Sequence, residues 1–385
     1  MAIRSADNII ILSGGGTGGH ITPILAVASE IKKMDNSIKT IYIGERGGKF
    51  KDLTENHPSI DESYEIFAGK FRRYNGESWL ERIVDVKTIL LNIRDLFYLA
   101  LGTVQSVLLV RRIRPRAIFL KGGFVGVPVG LASVVNKVPF LTHDSDAIPG
   151  LANRLVSRWA ALHAVASDVA TYNYPQEKTV QVGVLVEPDY GFVSAKEQAE
   201  FKAKLNIPTG NKLVLVTGGS SGAQSLNLAV LNIALQLLKD YPKLNIIHQT
   251  GRGKQSIYGT VSHDRLSVVE FMRPMHVYSG ASDIVVCRAS GNTLAELGTQ
   301  QKAVITVPNP LLASGHQLKN AEQLLKWNAA IVVDETKQVT NSIQLDNAIR
   351  KLLDDPSLVK KLSANLHANT LTGASKQLAK LLMDL

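Results

Sequence analysis

The 385-residue chain contains a single cysteine, Cys287. One thiol cannot close an internal disulfide or build a thiolate zinc site, so a disulfide scaffold and a zinc ribbon are both excluded. Aromatic residues make up only 6% of the sequence, and neither an aromatic-rich nucleic-acid motif nor a lysine-rich tail occurs, although the net charge is +10. That charge points to an anionic membrane surface or a phosphorylated substrate, with no nucleic acid expected. No uninterrupted run reaches the roughly 18 apolar residues of a membrane-spanning helix. The opening MAIRSADNIIIL has an apolar stretch too short for a signal peptide. These absences predict a cytoplasmic protein, soluble or peripheral.

What the chain does have is a series of short apolar strands that stop at glycines or polar turns. Asn8–Leu12, Thr40–Ile43, Ala117–Leu120, Pro139–Thr142 and Ala161–Val165 read as buried parallel strands with helical segments between them. The pattern restarts at Lys212–Thr217 and continues through Asn245–His248, Leu266–Val269, Asp283–Val286, Ala303–Val307 and Ala330–Val333. Such alternation predicts an α/β protein: two Rossmann-like doubly wound parallel-sheet domains facing across a cleft. Pro188 and Gly191 interrupt the pattern. The expected division is an N-terminal domain at 1–186, a C-terminal domain at 187–370, and a terminal helix in 371–385 free to pack back on the first domain.

The glycine turns carry the chemistry. In SGGGTGGHITP (13–23), Thr17, Gly18 and Gly19 join a strand to a helix. A turn without side chains exposes backbone N–H groups at a helix N-terminus, where they and the helix dipole favour phosphate. No Gly-Lys-Ser/Thr follows, so this is not a P-loop, and His20 stands where a dinucleotide fingerprint needs close packing. An imidazole there can act as a general base near neutral pH. TGGSSGAQS (217–225) repeats the logic, with Ser220 adding a hydroxyl donor. CRASGNTLAEL (287–297) is a third strand–turn–helix: Thr293 can donate to a phosphate, and Glu296, one turn later, can accept two hydrogen bonds from a ribose diol. Gln317 in GHQLKNAEQL (315–324) can read sugar hydroxyls.

HDSDAIPG (143–150) opens at another strand end. Asp144 and Asp146, with His143, invite a metal reading. The glycine-lined helix ends already supply the positive field that a diphosphate needs, so neither a metal nor a cofactor is expected. Contact with a sugar for Asp146 and orientation of His20 by Asp144 are the preferred roles. Lys70 to Lys121 is strongly basic, and within it Phe71, Arg72, Arg73, Trp79 and Leu80 combine cations with apolar bulk, as suits an anionic bilayer. For Leu96–Val110 the plainer alternative is a helix whose apolar face packs on the core.

In this order, GGGTGGHITP, HDSDAIPGLANR, TGGSSGAQSLN, CRASGNTLAEL and GHQLKNA resemble the MurG family, the membrane-associated N-acetylglucosaminyltransferases of peptidoglycan synthesis. The resemblance implies a GT-B fold and UDP-N-acetylglucosamine as donor, held mainly by the C-terminal domain. It implies lipid I, the undecaprenyl-diphosphate-linked muramyl pentapeptide, as acceptor, and inverting transfer to its 4-hydroxyl to give lipid II. A place at the cytoplasmic face of the plasma membrane and a role in cell shape and division follow from the same resemblance. By resemblance, His20 sits next to the acceptor, Ser220 lies near the donor diphosphate, and the backbone of Met272 reads uracil. Arg288 and Thr293 fall in the donor turn, Glu296 binds ribose, and Gln317 contacts sugar hydroxyls.

Two positions depart from the family pattern. His143-Asp144-Ser145-Asp146 stands for His-Glu-Gln-Asn, and Gly183-Val184-Leu185-Val186-Glu187 stands for Gly-Asn-Pro-Val-Arg. A carboxylate at 146 accepts but cannot donate, so its sugar contact must differ. The competing readings are a related transferase with another lipid-linked acceptor, a UDP-sugar epimerase, and a UDP-sugar-binding module with impaired catalysis.

Overall fold

The computed structural model describes residues 8–16, 18–48, 51–70, 86–146, 148–310, 315–335 and 338–385. The chain divides into two units, one comprising Met1–Pro188 with Thr372–Leu385 and the other Asp189–Leu371.

In the first unit the described elements are β1 (Ile9–Gly14), α1 (Gly18–Met34), β2 (Lys39–Glu45), α2 (Lys51–Glu55), β3 (Glu62–Ile66), α3 (Val86–Ile113), β4 (Ala117–Gly122), α4 (Gly126–Asn136), β5 (Phe140–Asp144), α5 (Leu151–Val156), β6 (Leu162–Val165) and β7 (Thr179–Gln181). The strands form a parallel sheet in the order β3-β2-β1-β4-β5-β6-β7. Side chains alternate across it. Ile10 and Leu12 pack with Ile24, Val27 and Ile31 of α1 on one face. Ile11 and Ile118 pack with Val129 and Ala132 of α4 on the other. Burial on both faces is why β1 reads as a continuous apolar run.

The second unit runs α6 (Ala195–Lys204), β8 (Lys212–Thr217), α7 (Gln224–Asp240), β9 (Leu244–Gln249), β10 (Leu266–Val269), α8 (Met275–Ala281), β11 (Ile284–Cys287), α9 (Gly291–Thr299), β12 (Ala303–Thr306), α10 (His316–Lys326), β13 (Ala330–Val332), α11 (Gln338–Asp354) and α12 (Pro356–Ala368). Its parallel sheet has the order β10-β9-β8-β11-β12-β13. The last helix, α13 (Ala374–Met383), returns to the first unit. There Leu378, Ala379 and Leu382 are buried in the same cluster as α1, and Ser375 Oγ donates to the Val186 carbonyl at 2.9 Å.

The edge strands and helix α3 bear on the sequence reading. The edge strands β3 (ESYEI) and β7 (TVQ) were not marked, because an edge strand faces solvent and lacks a continuous apolar run. Leu90–Ile113, within α3, is long and apolar enough to cross a membrane by length and composition only, while its charged residues keep any uninterrupted apolar run short, as the sequence indicates. Arg94, Asp95, Arg111 and Arg112 break the run without lowering its average enough. Finally, the core-packing alternative for Leu96–Val110 holds only in part: Val107, Leu109 and Val110 pack with the core of the first unit. The buried positions before Val110 are small or polar, Asp95, Gly102 and Ser106, whereas Leu90, Ile93, Leu96, Phe97, Val104 and Leu108 are each 58–63% exposed. Gly102 is required on the inner side, because a Cβ there would lie 1.8 Å from the Phe67 carbonyl oxygen.

The position of α13 generates a prediction. Leu378 is fully buried, so Leu378→Ala is expected to cost about 3 kcal/mol. Urea unfolding followed by circular dichroism measures this, and an unchanged midpoint would mean that α13 does not hold the first unit together.

Candidate active site

In each sheet the strand order reverses between two neighbours, β1 and β4 in the first and β8 and β11 in the second. Ligands of doubly wound sheets bind outside the carboxyl ends of strands at that point. Both glycine turns singled out in the sequence leave the sheet there, after β1 and after β8.

In the first unit, part of the glycine requirement is packing. Gly16 has φ +89°, and the Phe124 ring lies 2.8 Å from where its Cβ would be. Thr17 lies outside the described residues; Gly18, Gly19 and His20 open α1. His20 keeps partial solvent access, yet its pKa is lowered from 6.5 to about 4. Desolvation is the main cause, the Lys121 cation adds to it, and Asp146 opposes it. The imidazole is therefore neutral near pH 7 and can accept a proton.

Asp144 ends β5 and is consumed by structure. One carboxylate oxygen accepts from the Gly150 N–H (2.9 Å) and Asn153 Nδ2 (3.0 Å), and the other from the Tyr174 hydroxyl (2.9 Å). Burial raises its pKa against these bonds. The Nε2–H of His143 donates to the Gly183 carbonyl at 2.9 Å, and burial holds this imidazole well below its usual pKa. Asp146 follows in the same turn, with its backbone carbonyl bonded to the Tyr172 hydroxyl at 3.0 Å. Asp146, and not Asp144, is thus the carboxylate whose charge acts on His20.

Sequence reasoning gave Lys121 no individual role. It closes the apolar strand β4 just before Gly122 and Gly123, is only 4% exposed, and donates from Nζ to Ser145 Oγ at 2.9 Å. The available signal was a lysine placed between an apolar strand and a glycine pair.

In the second unit, the turn after β8 is held from both sides. Gln249 Nε2 donates to Thr217 Oγ1 (3.2 Å) and the Gly219 carbonyl (3.0 Å), while its Oε1 accepts from the Met272 backbone N–H (2.8 Å). Gln249 therefore ties the glycine turn to the segment of Met272, whose own N–H is engaged. Lys254 Nζ donates to the Ser221 carbonyl at 2.9 Å. Gly222 has φ +65°, and a Cβ there would lie 1.8 Å from the Thr250 carbonyl oxygen, so no other residue fits the turn. Helix α7 follows the N-cap residue Ala223, which gives it no side-chain cap, and Ser220 lies in the turn before it.

After β11, Ser290 caps α9: its Oγ accepts from the Thr293 N–H at 3.4 Å and donates to Thr293 Oγ1 at 3.0 Å. Glu296 lies one turn on, close enough for its charge to raise the buried Cys287 thiol, which burial chiefly pushes up to about 12. Arg288 is locked. Its guanidinium makes a two-pronged pair with Glu335 (2.7 Å each) and also bonds the Val307 carbonyl (2.8 Å) and Ser225 Oγ (2.9 Å). Arg288 and Glu335 side chains are each 9% exposed. Gln317 is buried and accepts from the Asn309 N–H at 2.9 Å.

The structure thus gathers His20, Lys121, Asp144 and Asp146 at one switch point, and Ser220, Met272, Thr293, Glu296 and Gln317 around the strand ends of the other unit. Phe71, Arg72, Arg73, Trp79 and Leu80 lie outside the described residues. Among those described, no group of three His, Cys, Asp or Glu side chains has metal-binding geometry.

Comparison with known proteins supplies the family. Residues 10–165 match the glycosyltransferase family 28 N-terminal domain and residues 213–378 its C-terminal domain. The UDP-N-acetylglucosamine--N-acetylmuramyl-(pentapeptide) pyrophosphoryl-undecaprenol N-acetylglucosamine transferase 2 of Bacillus anthracis is 32% identical over 337 residues, 87% of this chain and 89% of that protein. The Bacillus licheniformis enzyme of the same name, without the number, is 29% identical over 379 residues, 98% of each chain. The crystal structure of Acinetobacter baumannii MurG superposes with a TM-score of 0.69 at 22% identity, covering 98% of this chain and 99% of that one. The two parallel-sheet units are those of a GT-B glycosyltransferase, and the chain belongs to glycosyltransferase family 28 and, within it, to the MurG family.

Proposed function

We propose that this protein transfers N-acetylglucosamine from UDP-N-acetylglucosamine to the 4-hydroxyl of lipid I, giving lipid II with inversion at the anomeric carbon. The single observation that carries this reading is the pair of glycine turns at the two switch points, one followed by a neutral, desolvated imidazole and the other by an uncapped helix N-terminus. The relatives' names supply the substrates.

The reaction is a single displacement. The acceptor oxygen attacks the anomeric carbon, its bond to the UDP oxygen breaks, and the hydroxyl proton passes to His20. A neutral imidazole has the lone pair for this task. Asp146 stabilises the imidazolium that forms. The leaving UDP gains negative charge on its β-phosphate, which the N–H groups of the turn at 218–223, the N-terminus of α7 and the Thr293 hydroxyl are suited to receive. Glu296 takes the ribose diol, Gln317 the sugar hydroxyls, and the Met272 segment the uracil. Arg288 serves the donor site indirectly, by bracing Ser225 at the start of α7. No metal is assigned a step.

Attachment to an anionic membrane surface belongs to the same reading. The outward face of α3 is apolar, and the basic sequence stretch with Phe71, Arg72, Arg73, Trp79 and Leu80 precedes this helix in the chain. A lipid-linked acceptor needs such a face; the epimerase alternative, with a soluble sugar nucleotide, does not.

Three measurements test this. With radiolabelled UDP-N-acetylglucosamine and lipid I, and UDP-N-acetylgalactosamine as control, His20→Ala is expected to lower turnover by about 100-fold or more while UDP-sugar binding survives. Unaltered turnover removes the imidazole from the mechanism. Glu296→Ala is expected to weaken UDP binding by about 10- to 100-fold in a calorimetric titration, and equal affinity clears that carboxylate of the ribose role. Ile93→Glu combined with Phe97→Glu is expected to reduce sedimentation with anionic vesicles by at least about 10-fold without loss of helix content. Sedimentation that stays the same would separate α3 from the membrane.

A further inference from the structure

Lys121 occupies an irregular place in the sheet. Between β1 and β4, Ser13 pairs with Leu120, but the next pair is Gly14 with Gly122. Lys121 is the residue left over, a β-bulge in a parallel ladder. On the other side, the pairing of β4 with β5 stops at Leu120 and Thr142. Gly122 and Gly123 then turn the chain away at φ +103° and +75°. Bulges beside active sites re-aim a side chain, and this one brings the lysine against the first glycine turn: its Cβ is 3.2 Å from where a Cβ on Gly14 would be.

The ammonium so delivered is buried. Among the described residues its Nζ makes one hydrogen bond, to Ser145 Oγ at 2.9 Å. A lysine has three donors, and a nearly unexposed cation with a single neutral partner is costly unless nearby charge compensates it. The compensating groups are Asp144 at the end of β5 and Asp146 in the turn beyond it. The groups whose charge Lys121 opposes are His20 on α1 and His143 on β5. Asp144 is already held in place by Gly150, Asn153 and Tyr174, so its position does not depend on Lys121. The part of the cluster whose position is left for Lys121 to set is the Ser145–Asp146 turn beside His20.

We propose that Lys121 is a positioning residue for the transfer reaction: delivered by the bulge and anchored on Ser145, its ammonium holds the Ser145–Asp146 turn in register with His20 and balances the carboxylates there. The inference rests on the transferase reading only for its kinetic readout. Burial lowers the lysine itself to about 8. A base with a depressed pKa is charged below that value and loses its proton above it, so the anchoring charge is present at neutral pH and fades on the alkaline side.

The test uses Lys121→Met and Lys121→Arg in the full chain. His20 is titrated by NMR with labelled histidine, its signal assigned by comparison with His20→Gln. In the unsubstituted protein His20 is expected to titrate near 4. Lys121→Met is expected to raise that pKa by about one unit or more and to cut kcat by about 10- to 100-fold. Lys121→Arg keeps the charge and is expected to keep the low His20 pKa. The alkaline limb of the rate profile, expected near pH 8, disappears in Lys121→Met and moves higher in Lys121→Arg. A His20 titration that Lys121→Met leaves in place, or a rate profile identical to that of the parent, overturns the proposal. If Lys121→Met does not fold, Ser145→Ala substitutes: a displaced pH profile supports the anchor, and an unchanged one overturns it. Absence of transfer in the unsubstituted protein condemns the transferase reading, and the NMR titration still decides the coupling.

Discussion

One geometric constraint organises both units: a parallel sheet whose strand order reverses must send the chain to opposite faces from two adjacent strands. From β1 the chain crosses into α1, which packs on Ile10 and Leu12. From β4 it crosses into α4, which packs with Ile11 and Ile118. In the second unit α7 packs with Val214 and Val216, whereas α9 packs with Leu213, Leu215 and Val285. Two neighbouring strand ends whose continuations diverge leave an opening that neither helix covers. Backbone donors reach that opening because the turns are made of glycine, and their packing against Phe124 and Thr250 excludes larger residues.

The same construction is given different electrostatics in the two units. The first opening holds an imidazole, a buried ammonium and a carboxylate whose charges act on one another, which is what proton transfer needs. At the second, Lys254 bonds turn carbonyls and the buried charges of Arg288 and Glu335 neutralise each other. Neutral N–H and hydroxyl donors remain for an anion. In the proposed mechanism, general-base work belongs to the first unit and diphosphate binding to the second. The buried Arg288 pair also shows how a cation near a binding site can act structurally: breaking it would leave a charge stranded among Ser225, Val307 and Glu335.

Helix α3 departs in part from the usual rule for a surface helix. Val107, Leu109, Val110 and Ile113 pack on the core, but its other buried positions include Asp95, Gly102 and Ser106 while large apolar residues from Leu90 to Leu108 face outward. Exposed apolar area on this scale is unfavourable in water and finds its reason in a lipid or protein neighbour. Its placement on the unit that carries His20 fits an acceptor attached to a lipid.

Much of this was legible from residue order. Continuous apolar runs ending at glycines marked strands buried on both faces, and the turns at 14–19 and 218–223 marked the two openings, because local spacing alone determines those features. The edge strands β3 and β7 were not legible, since half-exposed segments carry no apolar run. Nor could spacing show that Asp144 spends its oxygens on Gly150, Asn153 and Tyr174, that Arg288 is sealed by Glu335, or that a bulge carries Lys121 to His20. Each of these joins residues distant in the chain, and burial then sets the cost of their charges. Residue order alone places the glycine turns at the strand ends; packing sets which ionisable groups stand beside them and in what state of charge, because desolvation and charge proximity exist only once the chain is folded.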